Sequence, residues 1–268
     1  MFKYFDRHNN LIFSWGLVYQ LTRRNIQIRY RGSILGLLWS LVTPILMLAM
    51  YTFVFGTILD LRWTDQEGGN PEFATILFSG LIVHAYFSEC LHMSVDLIPS
   101  NRQYVKKVVF PLTSLTLVVI LTAAFQMIVS TFVLLLYLVI VERALVWTVV
   151  LIPVAIFPLM LMAMGFSWMI AASAVYFRDL GQLVGLVTLA LLFISPVFYE
   201  TSRLPDVMQP WLYANPITWI IESVRALLFD GKVPSVIEYL IYLVAAFSVS
   251  VAGLLLFRKL RPGFSDVI

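Results

Sequence analysis

VVFPLTSLTLVVILTAAFQMIVSTFVLLLYLVIV, residues 108–141, contains no Asp, Glu, Lys, Arg or His. About 20 apolar residues of helix suffice to cross the hydrocarbon core of a bilayer. The stretch exceeds that, and it is bounded by Lys106-Lys107 on one side and Glu142-Arg143 on the other. It reads as a transmembrane helix. The same test applied outward gives spans at about 34–59, 73–98, 112–141, 148–176, 180–199 and 235–257. The run 148–176 is free of charge, and Pro153 and Pro158 are expected to kink it near one end. The run 73–98 is apolar through Ser88 and then carries Glu89, His92 and Asp96. The sequence therefore predicts an all-α membrane protein with six transmembrane helices in one domain, 1–268.

Composition agrees. Of the 268 residues 60% are hydrophobic and only 12% charged, with a mean hydropathy of +0.90. A soluble domain is about 25% charged, so a water-soluble enzyme is excluded. Cys90 is the only cysteine, which excludes an intramolecular disulfide framework and a multi-thiolate metal site.

Lys and Arg set the orientation. Thirteen of the 18 fall in 1–33, 99–111, 177–180 and 258–268, which share one side, and five fall in 60–72, 142–147 and 199–234. Both termini are expected in the cytoplasm. Asp60, Asp65, Glu67 and Glu72 gather in the first outer loop. No charged n-region, apolar h-region and small-residue cleavage site opens the sequence, so no removable signal peptide is expected.

Residues 199–234 are neither a span nor an ordinary loop. Trp211, Leu212, Tyr213 and the stretch 217–229 are apolar enough to enter a membrane, but a seventh span would put Arg258, Lys259 and Arg261 outside. Pro205, Pro210 and Pro216 interrupt the segment. Asn215-Pro216 reads as an N-cap followed by proline at the first helical position. Glu222 and Arg225 stand one helical turn apart, where they can pair. Two short helices that dip in from the outer face and return, 204–229, accommodate these features. Non-helical backbone at membrane depth is tolerated only where protein or a water-filled cavity covers it, so the pair is expected to line something wet.

On the inner side, residues 11–31 precede the first span. Ile12, Trp15, Tyr19, Ile26 and Tyr30 share one helical face, while Arg24, Gln27, Arg29 and Arg31 supply polar surface. That is the pattern of an amphipathic helix in the headgroup layer; a plain positive-inside anchor explains the arginines but not the aromatic stripe. The connection PSNRQYVKKVVFP, 99–111, has three basic residues, no acidic ones and a proline at each end. It reads either as a short helix that passes on a soluble partner's motion or as positive-inside charge alone. In the tight connection YFRDL, 176–180, Arg178 and Asp179 are adjacent and do not face each other on a helix. Contact with a partner is favoured there over an internal pair.

The sequence has no GxxxxGK[ST] loop, no HExxH and no Cys/His cluster at zinc spacing, so no ATPase site of that kind and no metal site is expected. Glu89, His92 and Asp96 share one face of the second span. Ionisable groups there are functional candidates by default, yet a position near the inner interface also suits solvated charge or a hydrogen-bonded contact to a neighbouring helix. His84 reads as a polar packing or cavity residue and Glu238 as an outer-interface charge. Trp39, Tyr51, Phe53 and Phe55 at the first span, with Phe193, Phe198 and Tyr199 at the fifth, exceed an interfacial belt. Aromatic faces stack on the apolar faces of sugars and let them slide, whereas packing or lipid contact accounts for any one of these rings.

RYRGSILGLLW (29–39) with Pro44, YFRDL (176–180), SPVFY (195–199) and Asn215-Pro216 followed by Arg225 carry a family resemblance. In this order they resemble the transmembrane subunits of polysaccharide ABC exporters of the type-two permease class, over nearly the whole chain. That family includes O-antigen and teichoic acid permeases and, more distantly, capsule permeases. The resemblance implies a homodimer of six-helix subunits in the bacterial cytoplasmic (inner) membrane. It also implies two copies of a separate ATP-binding subunit, which bind ATP and Mg, and no cofactor in this chain. Its activity would be ATP-driven export of a lipid-linked polysaccharide, most closely an O-antigen.

By the same resemblance, 11–31 is an interfacial helix, and Arg29, Tyr30, Leu35 and Gly36 stand at the substrate entrance. Trp39, Tyr51, Phe53, Phe55, Phe193, Phe198 and Tyr199 line a channel between the first and fifth helices. Residues 100–110 form a coupling helix, so that Arg102, Gln103, Tyr104, Lys106 and Lys107, with Arg178 and Asp179, contact the ATPase subunit. Residues 204–229 are the outer gate, with Trp211, Tyr213, Asn215, Pro216, Glu222 and Arg225. Membrane lipids are the remaining partner, and nothing points to nucleic acid. Teichoic acid or capsular polysaccharide export, a small-lipid or drug exporter of the same class, and a membrane-embedded transferase using Glu89, His92 and Asp96 are the competing readings.

Overall fold

The structure, a computed structural model, describes residues 15–59, 73–105, 111–143, 145–201, 205 and 209–267. Among them every regular element is helical. In chain order these are α1 (Trp15–Tyr30), α2 (Gly36–Ile58), α3 (Phe73–Val95), α4 (Arg102–Val105), α5 (Thr113–Glu142) and α6 (Trp147–Ala174). There follow α7 (Leu180–Ile194), α8 (Gln209–Tyr213), α9 (Thr218–Arg225, continued by the π-helical turn Ala226–Asp230), α10 (Val236–Gly263) and α11 (Phe264–Val267). Five of them, α2, α3, α5, α6 and α10, are long and apolar enough to cross a membrane. Of the segments singled out in the sequence, 11–14, 60–72, 106–110, 202–204 and 206–208 lie outside the described residues.

The run 180–199 is the shortest of the expected spans, and only 15 of its residues are helical. Ser195 precedes Pro196 and takes extended backbone (φ −74°, ψ 151°), as a following proline ring demands, so α7 ends at Ile194. In α6, the expected two-proline kink reduces to one interior proline. Pro153 falls in the first turn, after the 3-10 stretch Trp147–Leu151, and only Pro158 lies inside the helix. A first-turn proline gives up an N–H that has no intrahelical partner anyway.

The side-chain contacts fix how the helices run. A Cβ on Gly181 would meet Val95 at 3.3 Å, Thr188 bonds to His84 and His92, and Val197 lies beside Gly80. Residues 181–197 therefore run antiparallel to α3 along most of its length. By contrast, α6 and α10 run parallel, because Tyr242 reaches Met162, Gly253 meets Gly165, and the Tyr176 hydroxyl donates to the Leu260 carbonyl at 2.9 Å. Arg29 in α1 reaches Glu89 and Met93 near the end of α3, and Phe264 in α11 packs on Tyr176 just before α7 begins. The first and last described helices thus lie at the same end of the bundle.

Glycine makes the α6–α10 contact possible. A Cβ on Gly165 would lie 2.6 Å from the Val249 carbonyl oxygen, and one on Gly253 would overlap the Gly165 carbonyl. Small residues at a crossing let two backbones close up where lipid removes the hydrophobic drive for association. The centre of the bundle is α3, whose most apolar window is 72% buried, against 11% for α2. Together with α7, whose buried residues are Val184 and Thr188, α2 presents a broad apolar face that none of the described residues covers.

Candidate functional site

At the end of the bundle that α1 and α11 share, α1 turns into α2 through Gly32 (φ +88°) and Gly36 (φ +52°). Both need left-handed backbone, which glycine adopts without a Cβ clash. The turn leaves Leu35 and Leu37 exposed at the mouth of the bundle. Arg29 donates to the Glu89 carboxylate. Burial works to lower the Arg29 pKa, but the hydrogen bond and charge of Glu89 outweigh it and hold the guanidinium above its ordinary value. Tyr30 donates to Gln126 Oε1 at 2.9 Å, and Gln126 Nε2 donates to the Ser40 carbonyl at 3.1 Å. That carbonyl is available because Pro44, four residues on and inside α2, has no N–H to offer it. The expected entrance residues Arg29 and Tyr30 are therefore fastened to α3 and α5. On α1 itself, Val18 and Leu21 face the bundle while Trp15 and Tyr19 stay exposed, an arrangement suited to a helix lying on protein with its aromatic stripe among headgroups.

Midway along the bundle, α3 grips α7 through one residue. His84 Nε2 bonds to the Thr188 carbonyl at 2.9 Å and His92 Nε2 to the Thr188 hydroxyl at 3.1 Å. A carbonyl only accepts, so His84 presents its Nε2–H to Thr188, while the Thr188 hydroxyl also lies within bonding distance of the Val184 and Gly185 carbonyls, at 2.9 and 3.0 Å. Glu89 thus bonds to α1 while His92 bonds to α7. Both are contacts to neighbouring helices, one of the roles the sequence allowed. Among the described residues no three His, Cys, Asp or Glu side chains come close enough to hold a metal ion.

The expected channel aromatics divide into two sets. Tyr51 and Phe55 pack inward, with ring centroids 6.3 Å from Phe78 and 5.5 Å from Phe73. Trp39, Phe53 and Phe193 are exposed on the open faces of α2 and α7. Phe198 stacks on Phe193 at 5.9 Å, and the Tyr199 hydroxyl donates back to the Ile194 carbonyl at 2.5 Å.

At the opposite end of the bundle, α8 and α9 form a hairpin. Asn215 Oδ1 accepts the Ile217 N–H at 3.1 Å and Asn215 Nδ2 donates to Ser195 Oγ at 2.8 Å. Asn215 thus makes a side-chain turn ahead of α9 in place of the expected N-cap: the cap position is Ile217, without a side-chain bond, and α9 starts two residues after Pro216. Arg225 donates to the carbonyls of Ile76, Pro196 and Val197, tying the hairpin to the start of α3 and to the turn after α7. Glu222 accepts instead from Thr201 and from Tyr213, the latter at 3.0 Å. The expected Glu222–Arg225 pair is replaced by these two separate sets of bonds. The non-helical carbonyls at Pro196 and Val197 need a buried donor, and the guanidinium supplies it. Burial together with the Glu222 charge pushes the Tyr213 pKa up to about 12. Trp211 stands 78% exposed on the same hairpin.

At the end shared with α1, Arg102 and Gln103 of α4 are exposed and Tyr104 is half-buried. Lys106 and Lys107 lie outside the described residues. Arg178 and Asp179 are exposed, and among the described residues no ion pair joins them. Sequence reasoning missed Gln126, Thr188 and Ser195. The signal for Gln126 was present, as a lone amide inside a charge-free span.

Residues 16–229 match the ABC-2 type transporter family. Two proteins of Klebsiella pneumoniae, each described as O-antigen export system permease protein RfbA, are 24% identical over 262 and 263 residues, covering 97% of this chain and 97% of their own. A protein of Myxococcus xanthus with the same description is 28% identical over 256 residues, 94% of this chain and 95% of its own.

Proposed function

The chain belongs to the ABC-2 type transporter family, and from that premise we propose that it is the permease subunit of an ATP-driven exporter. Its cargo is a lipid-linked polysaccharide, an O-antigen, carried across the bacterial inner membrane, and the ATP is hydrolysed by a separate subunit. The observation that carries the substrate class is the match along almost the whole of both chains to O-antigen export permeases.

How the helices run supports six crossings. The parallel pair α6 and α10 requires the chain to return across the membrane between them, and residues 181–197, antiparallel to α3, provide that return. The 15 residues of α7 rise about 22 Å at about 1.5 Å each. Ser195 adds one extended residue before the chain turns at Pro196 and Val197, so this segment covers most of the roughly 30 Å of hydrocarbon. With six crossings both ends share a side, and the Lys/Arg excess makes that side the cytoplasm. The uncovered apolar faces of α2 and α7 fit a second copy of the chain, the two enclosing a channel onto which Trp39, Phe53 and Phe193 open. The exposed surface of α4 with Arg178 and Asp179 fits the ATP-binding subunit. The α8–α9 hairpin, held by Arg225, closes the outer end.

Deletion of the gene tests this reading. Loss of the surface polysaccharide together with accumulation of lipid-linked polymer in the cytoplasm is the expected result. Unchanged surface polysaccharide overturns it. In the purified complex, Arg178→Glu is expected to reduce the amount of ATP-binding subunit that co-purifies.

A further inference from the structure

Behind the hairpin, on the side facing away from α3, lies a cavity of about 550 Å³ between α9 and α10. The channel reading leaves it unused. Its walls come from Trp219 and Glu222 of α9, Glu238 and Tyr242 of α10, and Lys232 from the connection between them. The rings are held in place: Trp219 stacks on Tyr242 at 5.1 Å, Trp219 Nε1 donates to Glu238 at 3.3 Å, and the Tyr242 hydroxyl donates to the Pro216 carbonyl. Glu238, Ile241, Tyr242 and Ala245, all lining residues, fall at i, i+3, i+4 and i+7 on one face of α10. That face is charged at the top and apolar two turns down. It opens beside Ile237, Ile241 and Val244, which are 71%, 65% and 64% exposed.

We propose that this cavity holds the headgroup of a zwitterionic amine phospholipid from the outer leaflet. The ammonium sits among Glu222, Glu238 and the aromatic rings, the phosphate meets Lys232, and an acyl chain runs down the Ile241–Ala245 face. An ammonium between carboxylates and ring faces is doubly favoured. Lys232 is 79% exposed and has only a long 4.0 Å pair with Asp230, which leaves it free to take a phosphate. A neutral glycan uses neither the lysine nor the continuity of the cavity with lipid-facing surface, and Trp219 and Tyr242 spend one ring face each on one another. A lipid bound here bridges α9 to α10 and holds the hairpin against the bundle.

The proposal rests on the membrane placement above but not on the polysaccharide reading, so its test uses no polymer and no ATPase. The full chain is reconstituted into phosphatidylglycerol vesicles containing increasing amounts of phosphatidylethanolamine with brominated acyl chains, or of brominated phosphatidylglycerol. Quenching of Trp219 is taken as the difference between the wild type and Trp219→Phe. Half-quenching at about fivefold lower mole fraction of the amine lipid is expected, the scale of one or two exposed charge and ring contacts. Glu238→Gln should shrink that preference, whereas Lys232→Glu, which removes the contact to the phosphate that both lipids carry, should weaken quenching by both. The Lys232 change sits on an exposed side chain, so the folded protein survives it. Equal quenching by the two lipids, quenching by both lipids undiminished in Lys232→Glu, or displacement of the amine lipid by a soluble oligosaccharide each overturns the proposal. The last of these would make the cavity a glycan site.

Discussion

Pro44 removes one N–H from α2, and the Ser40 carbonyl it would have served must find another donor inside a bundle that water does not reach. Gln126 supplies that donor and spends its own oxygen on Tyr30, so one amide joins α1, α2 and α5. Gln126→Leu leaves a carbonyl and a hydroxyl unserved and is expected to lower unfolding stability by about 1–3 kcal/mol, read as the melting midpoint in detergent. In a Pro44→Ala background the backbone N–H returns, and the same substitution is expected to lose less. Equal losses in the two backgrounds would mean that Gln126 acts by packing alone. The sequence displayed the proline and the amide but not their partnership, which spans 86 positions and depends on the rotation of two helices about their axes. Arg225 makes the same point against a local rule: helical spacing suggested Glu222, but three backbone carbonyls took the guanidinium.

Among whole elements, the closest approach is that of α6 and α10. Neither helix announced it, because Gly165 and Gly253 look like any other glycines in apolar runs until the two backbones are seen to touch. Gly253→Ala and Gly165→Ala each force the helices apart and are expected to cost about 1–3 kcal/mol, the range for overpacked contacts. A Cβ placed on Gly56 in α2 would meet nothing within 4 Å, so Gly56→Ala is the control, expected to be neutral or stabilising by up to about 1 kcal/mol. Parallel losses at all three positions, measured by thermal unfolding, would remove the close approach as the cause. Five of the expected spans were legible as long apolar runs and coincide with helices long and apolar enough to cross a membrane. The end of α7 was not, since apolar character continues to Tyr199 while Pro196 stops the helix at Ile194.

At the scale of the molecule, the question is whether α7 and the turn after it cross the membrane. If they do, residues 178 and 232 stand on opposite sides; if they do not, they stand on the same side and the C-terminal Arg258 and Lys259 lie outside. Cys90 is fully buried, and Cys90→Ala gives a background in which single reporters can be read. In spheroplasts, a membrane-impermeant maleimide is expected to label Lys232→Cys directly. Arg178→Cys and Lys259→Cys should label only after the membrane is opened. Labelling of 178 and 232 under the same condition would reduce the chain to five crossings. It would also break the argument that the antiparallel run of 181–197 along α3 spans the hydrocarbon. The placement of 13 of 18 basic residues on one side when six spans are assumed and the shared end occupied by α1 and α11 both favour an even number of crossings. The short helix approaches that requirement because the chain turns at Pro196 and Val197 just beyond it, where Arg225 serves the buried carbonyls.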